Sequence, residues 1–297
     1  MKKVVIVLGP TAVGKSDIAV NLAKKFDGEI ISADSVQIFK GFDIGSAKVT
    51  EEEKCGIIHY CIDIKEPNEE FSVFDFVELT TKKIDQILKK GKLPIICGGT
   101  GLYVRALLNG YNFGGAAKQA EFREKLEKED LDKLYQKLKE KDAKRAQEIK
   151  PNDKKRIIRA LEILEFGQEV KTSKTDIDAF VINLFMDRAK LYERINKRVD
   201  IMFKKGLLRE VKTLLEKGVK KDSQPMKAIG YKEVISYLDG EIDEKTMLEL
   251  IKQHSRNYAK RQMTFFRSIK DAFVVDAENK DECLFKIGEK IKEWLWV

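Results

Sequence analysis

Apolar residues in this chain fall into short β-branched runs and into longer stretches with a helical repeat. Val4-Val5-Ile6-Val7-Leu8 is apolar without alternation, which predicts a strand buried on both faces. Ile18, Leu22 and Phe26 then recur four apart, which predicts a helix that Gly28 ends. Glu29-Ile30-Ile31-Ser32-Ala33 reads as a second strand stopping at Asp34. Tyr60-Cys61-Ile62-Asp63-Ile64 gives a weaker strand signal. Ser72-Val73-Phe74-Asp75 is a capping-box pattern that opens a helix running to Gly91. Pro94-Ile95-Ile96-Cys97 predicts another strand, followed by Gly98-Gly99-Thr100-Gly101 and a short helix to about Gly110. Strands alternating with helices imply a parallel α/β sheet that binds ligands at the carboxyl ends of its strands.

The pattern changes near residue 114. Residues 118–166 are rich in lysine and glutamate, helical in period and without a strand-like run. Pro151-Asn152-Asp153 stops one helix and caps the next, which ends at Gly167; Ile157, Leu161 and Leu164 share one face, and Lys155 and Arg159 project from another. Val181–Phe185 resembles a returning strand. Asp187 caps a helix that turns Leu191, Ile195, Val199 and Met202 inward and sets Arg194 and Arg198 on the other side. A long helix covers about 243–268, Ala272–Asp276 resembles a last strand, and Leu284, Ile287, Ile291 and Leu295 mark a closing amphipathic helix. The predicted organisation is an α/β core of residues 1–113 and 181–297 with a helical insertion at 114–180.

Composition narrows the class. The chain has 297 residues, 43% of them apolar and 36% charged, which marks a folded protein and excludes a disordered one. No apolar run approaches the roughly 18–20 residues a membrane span needs. The start Met1-Lys2-Lys3-Val4 imitates a signal peptide, but its apolar stretch is too short and no cleavage site follows. A cytoplasmic monomer away from membranes is expected. Cys55, Cys61, Cys97 and Cys283 form no Cys-x-x-Cys pair, so they read as reduced thiols and not as a zinc site. With only His59 and His254 in the chain, a catalytic base is to be sought first among carboxylates.

The net charge of +8 favours a polyanionic partner. Lys252, Arg256, Lys260, Arg261, Arg267 and Lys270 lie in a segment without Asp or Glu. Lys252, Arg256 and Lys260, spaced by four, predict a basic ridge, with Tyr258, Phe265 and Phe266 interleaved. That combination suits an RNA backbone and stacked bases; aromatics turned into the core beside a merely solvated ridge give the same pattern.

The chemistry sits between the predicted elements. Gly9-Pro10-Thr11-Ala12-Val13-Gly14-Lys15-Ser16 is a phosphate-binding loop between a strand and a helix. Its backbone N–H groups and the helix N-terminus take an anion, Lys15 adds a full charge, and the Ser16 hydroxyl can ligate Mg²⁺. ATP is the usual occupant of such a loop. Proteins that hydrolyse nucleoside triphosphates usually place an Asp for Mg²⁺ at the end of a neighbouring strand. Here the strand over 94–97 ends in Gly98-Gly99-Thr100, and Asp63 is the acidic competitor. Asp34 would repel phosphate. It suits a proton acceptor for the other reactant, an aid to the metal, or a turn cap. Thr100 can donate to a leaving oxygen or cap the following helix. Arg198 is a second phosphate clamp or an exposed helical arginine.

Seven segments carry a resemblance over nearly the whole chain: G-P-T-A-V-G-K-S, I-S-A-D-S-V-Q-I-F-K-G-F-D-I-G-S-A-K, C-G-G-T-G-L-Y, P-N-D-K-K-R-I-I-R-A-L-E, R-I-N-K-R-V-D, M-K-A-I-G-Y-K-E and K-R-Q-M-T-F-F-R. In this order they resemble the tRNA dimethylallyltransferases, also called tRNA isopentenyltransferases. The resemblance implies a kinase-like P-loop core and a helical insertion that grips the anticodon stem-loop of tRNA. It implies Mg²⁺-dependent transfer of a dimethylallyl group from dimethylallyl diphosphate to N6 of adenosine 37, with release of diphosphate. Asp34 matches the family's general base, followed along the tRNA by Ser35, Val36 and Gln37. Gly9 to Ser16 match the diphosphate loop, with Lys15 among the catalytic groups. Thr100 matches a catalytic threonine and Arg198 the diphosphate-binding arginine. Arg123, the run Lys155, Arg156, Ile157, Ile158 and Arg159, and the run Lys227, Ala228, Ile229, Gly230, Tyr231 and Lys232 match tRNA-contacting stretches. So does the run Lys260, Arg261, Gln262, Met263, Thr264, Phe265, Phe266 and Arg267. Ser46 stands where threonine is usual, Tyr60 and Cys61 where His and Leu are, and residues 111–117 lack the usual Pro and Asp. The residues by themselves leave open a prenyltransferase for free adenine nucleotides, a small-molecule P-loop kinase, and a nucleotide-switched RNA-binding protein.

Overall fold

The computed structural model describes residues 1–112, 119–166, 171–172 and 175–296. Parallel strands build one sheet in the order β3-β2-β4-β1-β7-β8, from β1 (Lys2–Leu8), β2 (Gly28–Ser32), β3 (His59–Tyr60), β4 (Leu93–Cys97), β7 (Ile177–Phe185) and β8 (Phe273–Asp276). Two further short strands, β5 (Tyr111–Asn112) and β6 (Lys171–Thr172), pair antiparallel. The helices preceding them are α1 (Lys15–Lys25), α2 (Glu51–Lys54), α3 (Val73–Lys89) and α4 (Gly101–Leu108). Next come α5 (Ala120–Glu127), α6 (Leu131–Lys141), α7 (Ala143–Glu148) and α8 (Lys154–Phe166). The chain closes with α9 (Arg188–Lys204), α10 (Leu207–Glu216), α11 (Tyr231–Leu238), α12 (Glu244–Phe266) and α13 (Lys280–Trp296).

The central strand β1 shows why the sheet is covered on both sides. Val4, Ile6 and Leu8 join one core with Phe76, Ile84 and Tyr103. Val5 and Val7 join the other, with Ile18, Leu22, Ile287 and Ile291. Each side chain fully buried this way contributes roughly 1.5–3 kcal/mol. The α3 capping box forms as its sequence indicates: Ser72 accepts the Asp75 N–H, and Asp75 accepts the Ser72 N–H at 2.7 Å.

Two details differ from the sequence expectations. Gly28 does not end α1; the helix stops at Lys25, Asp27 turns the chain with φ 47°, and Gly28 is the first residue of β2. A Cβ on Gly28 would lie 2.9 Å from the Leu93 carbonyl oxygen, so close strand packing explains the glycine. The returning strand begins at Ile177, because β7 pairs with β1 from Lys2 onward.

The chain divides into two compact units, residues 1–108 with 176–297, and residues 109–175. The boundary expected at 113/114 and the helix end expected at Gly167 lie outside the described residues. The smaller unit has its own core, with Leu134, Leu138, Ile157 and Leu161 buried and Phe122 meeting Phe166 edge-on. Its α8 carries Glu162, 2% exposed, which accepts from Arg123 Nε (2.9 Å), Arg123 Nη2 (2.6 Å), Arg159 Nη1 (2.5 Å) and the Gln119 N–H (2.9 Å). Burial opposes ionisation of Glu162, but these partners win and hold its pKa at about 2.

Candidate active site

The phosphate loop follows β1 directly. Gly14 takes φ 105°, a conformation that favours glycine, and lets α1 begin at Lys15. Among the described residues no side chain caps this helix end, so its first N–H groups are left for an anion. Lys15 folds back so that Nζ donates to the Pro10 carbonyl at 2.8 Å. Desolvation pushes its pKa down to about 8; the Arg198 guanidinium adds repulsion and Asp34 opposes the shift. Lys15 and Arg198 bring two positive charges to the loop, and Asp34 offsets part of them.

Asp34 lies two residues past the end of β2. Its Oδ1 accepts the N–H groups of Val36 (2.8 Å) and Gln37 (3.2 Å), while Oδ2 has no hydrogen-bond partner among the described residues. The turn cap and the free carboxylate oxygen coexist in one side chain. Thr100 Oγ1 accepts the Ser35 N–H at 3.2 Å, and the Thr100 carbonyl accepts the Tyr103 N–H at 3.0 Å as α4 starts. The ends of β2 and β4 are held close: the Thr100 N–H donates to the Ala33 carbonyl at 3.2 Å, and a Cβ on Gly98 would lie 2.2 Å from that oxygen. Arg198 on α9 is no exposed arginine. Its Nη1 reaches Thr11 Oγ1 at 3.5 Å, and burial lowers its pKa against the pull of Asp34.

Two cavities meet at these groups. One of about 720 Å³ is lined by Lys15, Ser16, Gly98, Gly99 and Lys205. The other, about 390 Å³, is lined by Ser35, Val36, Ile195, Val199 and residues 227–232. Thr11, Asp34, Ser46, Arg198, Met202 and Tyr258 line both. Thr100 lines neither and reaches the site only through Ser35.

The expected RNA-contacting residues divide. Lys155, Arg156, Lys227, Lys232, Lys260, Arg261, Thr264 and Arg267 are exposed. Ile157, Ile158, Tyr231, Gln262 and Phe266 are buried, so their side chains support a surface and cannot form one. Gly230 is buried in its turn. Arg123 and Arg159 spend their charge on Glu162. Met263 and Phe265 pack against the two cores, and the Arg105 guanidinium lies 3.9 Å above the Phe265 ring. The predicted basic ridge is broken, because Lys252 pairs with Asp200 at 2.8 Å and Arg256 donates to Asn196 at 2.7 Å. Lys260 alone of the three is left to solvent.

Some supporting residues escaped the sequence reading. Lys205 continues the stripe of Arg194 and Arg198 at helical spacing, and Met202, expected on the inward face, also lines both cavities beside Arg198. Glu210 accepts the N–H groups of Asp43 (3.1 Å), Ile44 (2.6 Å) and Gly45 (3.1 Å), and the Tyr231 hydroxyl at 2.7 Å. No local pattern announces that nest. For a metal, the described residues contain no cluster of three or more His, Cys, Asp or Glu. The donor set that remains, the exposed Ser16 hydroxyl beside an anion site, fits an ion carried largely by phosphate oxygens and water.

Residues 37–269 match the family model for IPP transferase. The chain belongs to the IPP transferase family. It is 48% identical to the tRNA dimethylallyltransferase of Acetivibrio thermocellus, covering 98% of this chain and 95% of that protein. It is 47% identical to that of Anoxybacillus flavithermus, covering 90% and 88%. Among solved structures it is similar to the tRNA isopentenylpyrophosphate transferase of Bacillus halodurans, with TM-score 0.78 and 41% identity over 99% of this chain and 96% of that one. A eukaryotic dimethylallyltransferase acting on tRNA superposes with TM-score 0.80 at 28% identity, covering 99% and 80%. This IPP transferase is therefore a transferase with a P-loop-like core. Among its described residues no helix is long and apolar enough to cross a membrane.

Proposed function

We propose that the protein transfers a dimethylallyl group from dimethylallyl diphosphate to N6 of adenosine 37 in the anticodon stem-loop of tRNA. The observation that carries this reading is the meeting of the two cavities at Asp34 and Arg198. The phosphate loop, Gly9 to Ser16, takes the diphosphate in the larger cavity. The adenine, turned out of its stack, takes the smaller one, beside Val36 and Ile229.

The N6 amino group is a poor nucleophile because its lone pair is delocalised into the ring. Oδ2 of Asp34 accepts its proton as the N6–C1 bond forms and the C1–O bond to diphosphate breaks. Lys15 and Arg198 stabilise the charge that grows on the leaving diphosphate. The Ser16 hydroxyl would hold Mg²⁺, which would supply further charge neutralisation for the leaving diphosphate. Thr100 keeps Asp34 in place by holding the Ser35 N–H. Exposed Lys260, Arg261 and Arg267 on one unit, and Lys155 and Arg156 on the other, hold the RNA backbone. The protein acts as a cytoplasmic monomer.

Incubation with labelled dimethylallyl diphosphate, Mg²⁺ and unmodified tRNA, followed by nucleoside mass analysis, tests the reaction. The expected product is adenosine carrying one dimethylallyl group. Tests with AMP as acceptor must show far slower transfer. Label on AMP but none on tRNA adenosine overturns the proposal.

A further inference from the structure

Gln262 was expected at an RNA surface, yet it is 5% exposed and both ends of its amide are used inside the protein. Its Oε1 accepts the Thr11 N–H at 2.8 Å, and its Nε2 donates to the Gly99 carbonyl at 2.9 Å. The polarity is fixed, since a flipped amide would set donor against donor and acceptor against acceptor. The fit is close as well: a Cβ on Gly99 would lie 2.4 Å from Nε2. Tyr258, one turn earlier on α12, also donates to the Gly99 carbonyl, at 3.4 Å.

The two residues joined this way belong to opposite halves of the chemistry. Thr11 sits in the phosphate loop and takes the contact from Arg198. Gly99 precedes Thr100, which holds the turn that Asp34 caps. We propose that Gln262 is a positioning residue that fixes the phosphate loop against the Gly98–Thr100 turn, and so aligns the leaving diphosphate with the Asp34 carboxylate. The inference rests on the proposed prenyl transfer. Alignment of reacting groups is steep in distance: a misplacement of about 1 Å costs on the order of 100-fold in rate.

The test uses the full chain with Gln262→Met, which keeps volume and removes both hydrogen bonds, and Gln262→Glu, which keeps an acceptor for Thr11. Thermal unfolding establishes that each variant is folded. Single-turnover transfer, tRNA affinity and calorimetric binding of Mg²⁺-diphosphate are then measured. For Gln262→Met the expected result is a single-turnover rate lower by about 100-fold, diphosphate binding weakened several-fold and tRNA affinity within about twofold of the parent. For Gln262→Glu the expected rate, relative to the parent at each pH, recovers as pH falls, because the protonated acid regains a donor for the Gly99 carbonyl. A residue that only supports the fold gives no such recovery. Parent-like rate and diphosphate affinity in Gln262→Met overturn the inference, as does a loss that follows tRNA affinity alone. If the parent protein itself modifies no adenosine, the functional reading fails, and the diphosphate titrations of parent and variants still decide the role of Gln262. Should Gln262→Met not fold, Gln262→Glu carries the same decision through its pH profile and diphosphate affinity.

Discussion

Asp34 divides its two oxygens between structure and chemistry, and that division can be separated by substitution. In Asp34→Asn the amide oxygen still accepts from Val36 and Gln37, while the proton acceptor is gone. The expected loss is about 10²–10⁴-fold in transfer rate, with tRNA retained in a gel-shift assay. Lys15 sets a pH dependence of definite sign. Its ammonium is held to about 8, so free protein loses this charge as pH rises through that value. Diphosphate restores the proton by stabilising the charged form. Binding should therefore weaken above pH 8 and take up a proton there, seen by calorimetry in buffers of different ionisation enthalpy. These two groups were legible because each sits in a short local pattern: a phosphate loop, and a carboxylate ending a strand. Gln262 was not, because its partners lie 251 and 163 residues away, and nothing in K-R-Q-M-T-F-F-R tells which face of α12 turns inward.

At the scale of elements, helical spacing gave the helices, and burial reassigned their faces. The ridge of Lys252, Arg256 and Lys260 is real in sequence, but α9 supplies Asp200 and Asn196 opposite two of its members. Periodicity shows which residues share a face and is silent on what the next helix brings to it. The same applies to α8, where Ile157 and Ile158 are core and Glu162 is the buried centre of a charged cluster. Glu162→Ala leaves Arg123 and Arg159 without their shared partner. Those arginines are 27% and 33% exposed, so water offsets part of the cost, and a destabilisation of about 1–3 kcal/mol is expected. Amide hydrogen exchange within residues 119–166 checks this, with faster exchange expected there and none in β1.

For the molecule as a whole, the +8 charge and the exposed lysines and arginines make RNA binding an electrostatic event. Raising salt from 50 to 200 mM should weaken tRNA binding by about 10-fold or more, while diphosphate, held in a cavity, changes less. Filter binding against salt separates the two. The alternation of strands and helices makes the parallel sheet legible in the sequence. The strand order was hidden, because β1 takes its neighbours from far along the chain: Val5 lies beside Ile95 on one edge and Phe180 on the other. That arrangement has a consequence for synthesis. On the ribosome β1 is made well before its neighbour β7, so one of its edges stays open until residue 185 has emerged, and the phosphate loop lacks Gln262 until residue 262 is made. A chain stalled within the inserted unit presents a sticky, half-paired sheet and no working site. The segment through residue 262 must therefore leave the ribosome tunnel before the phosphate loop is fixed against the Gly98–Thr100 turn.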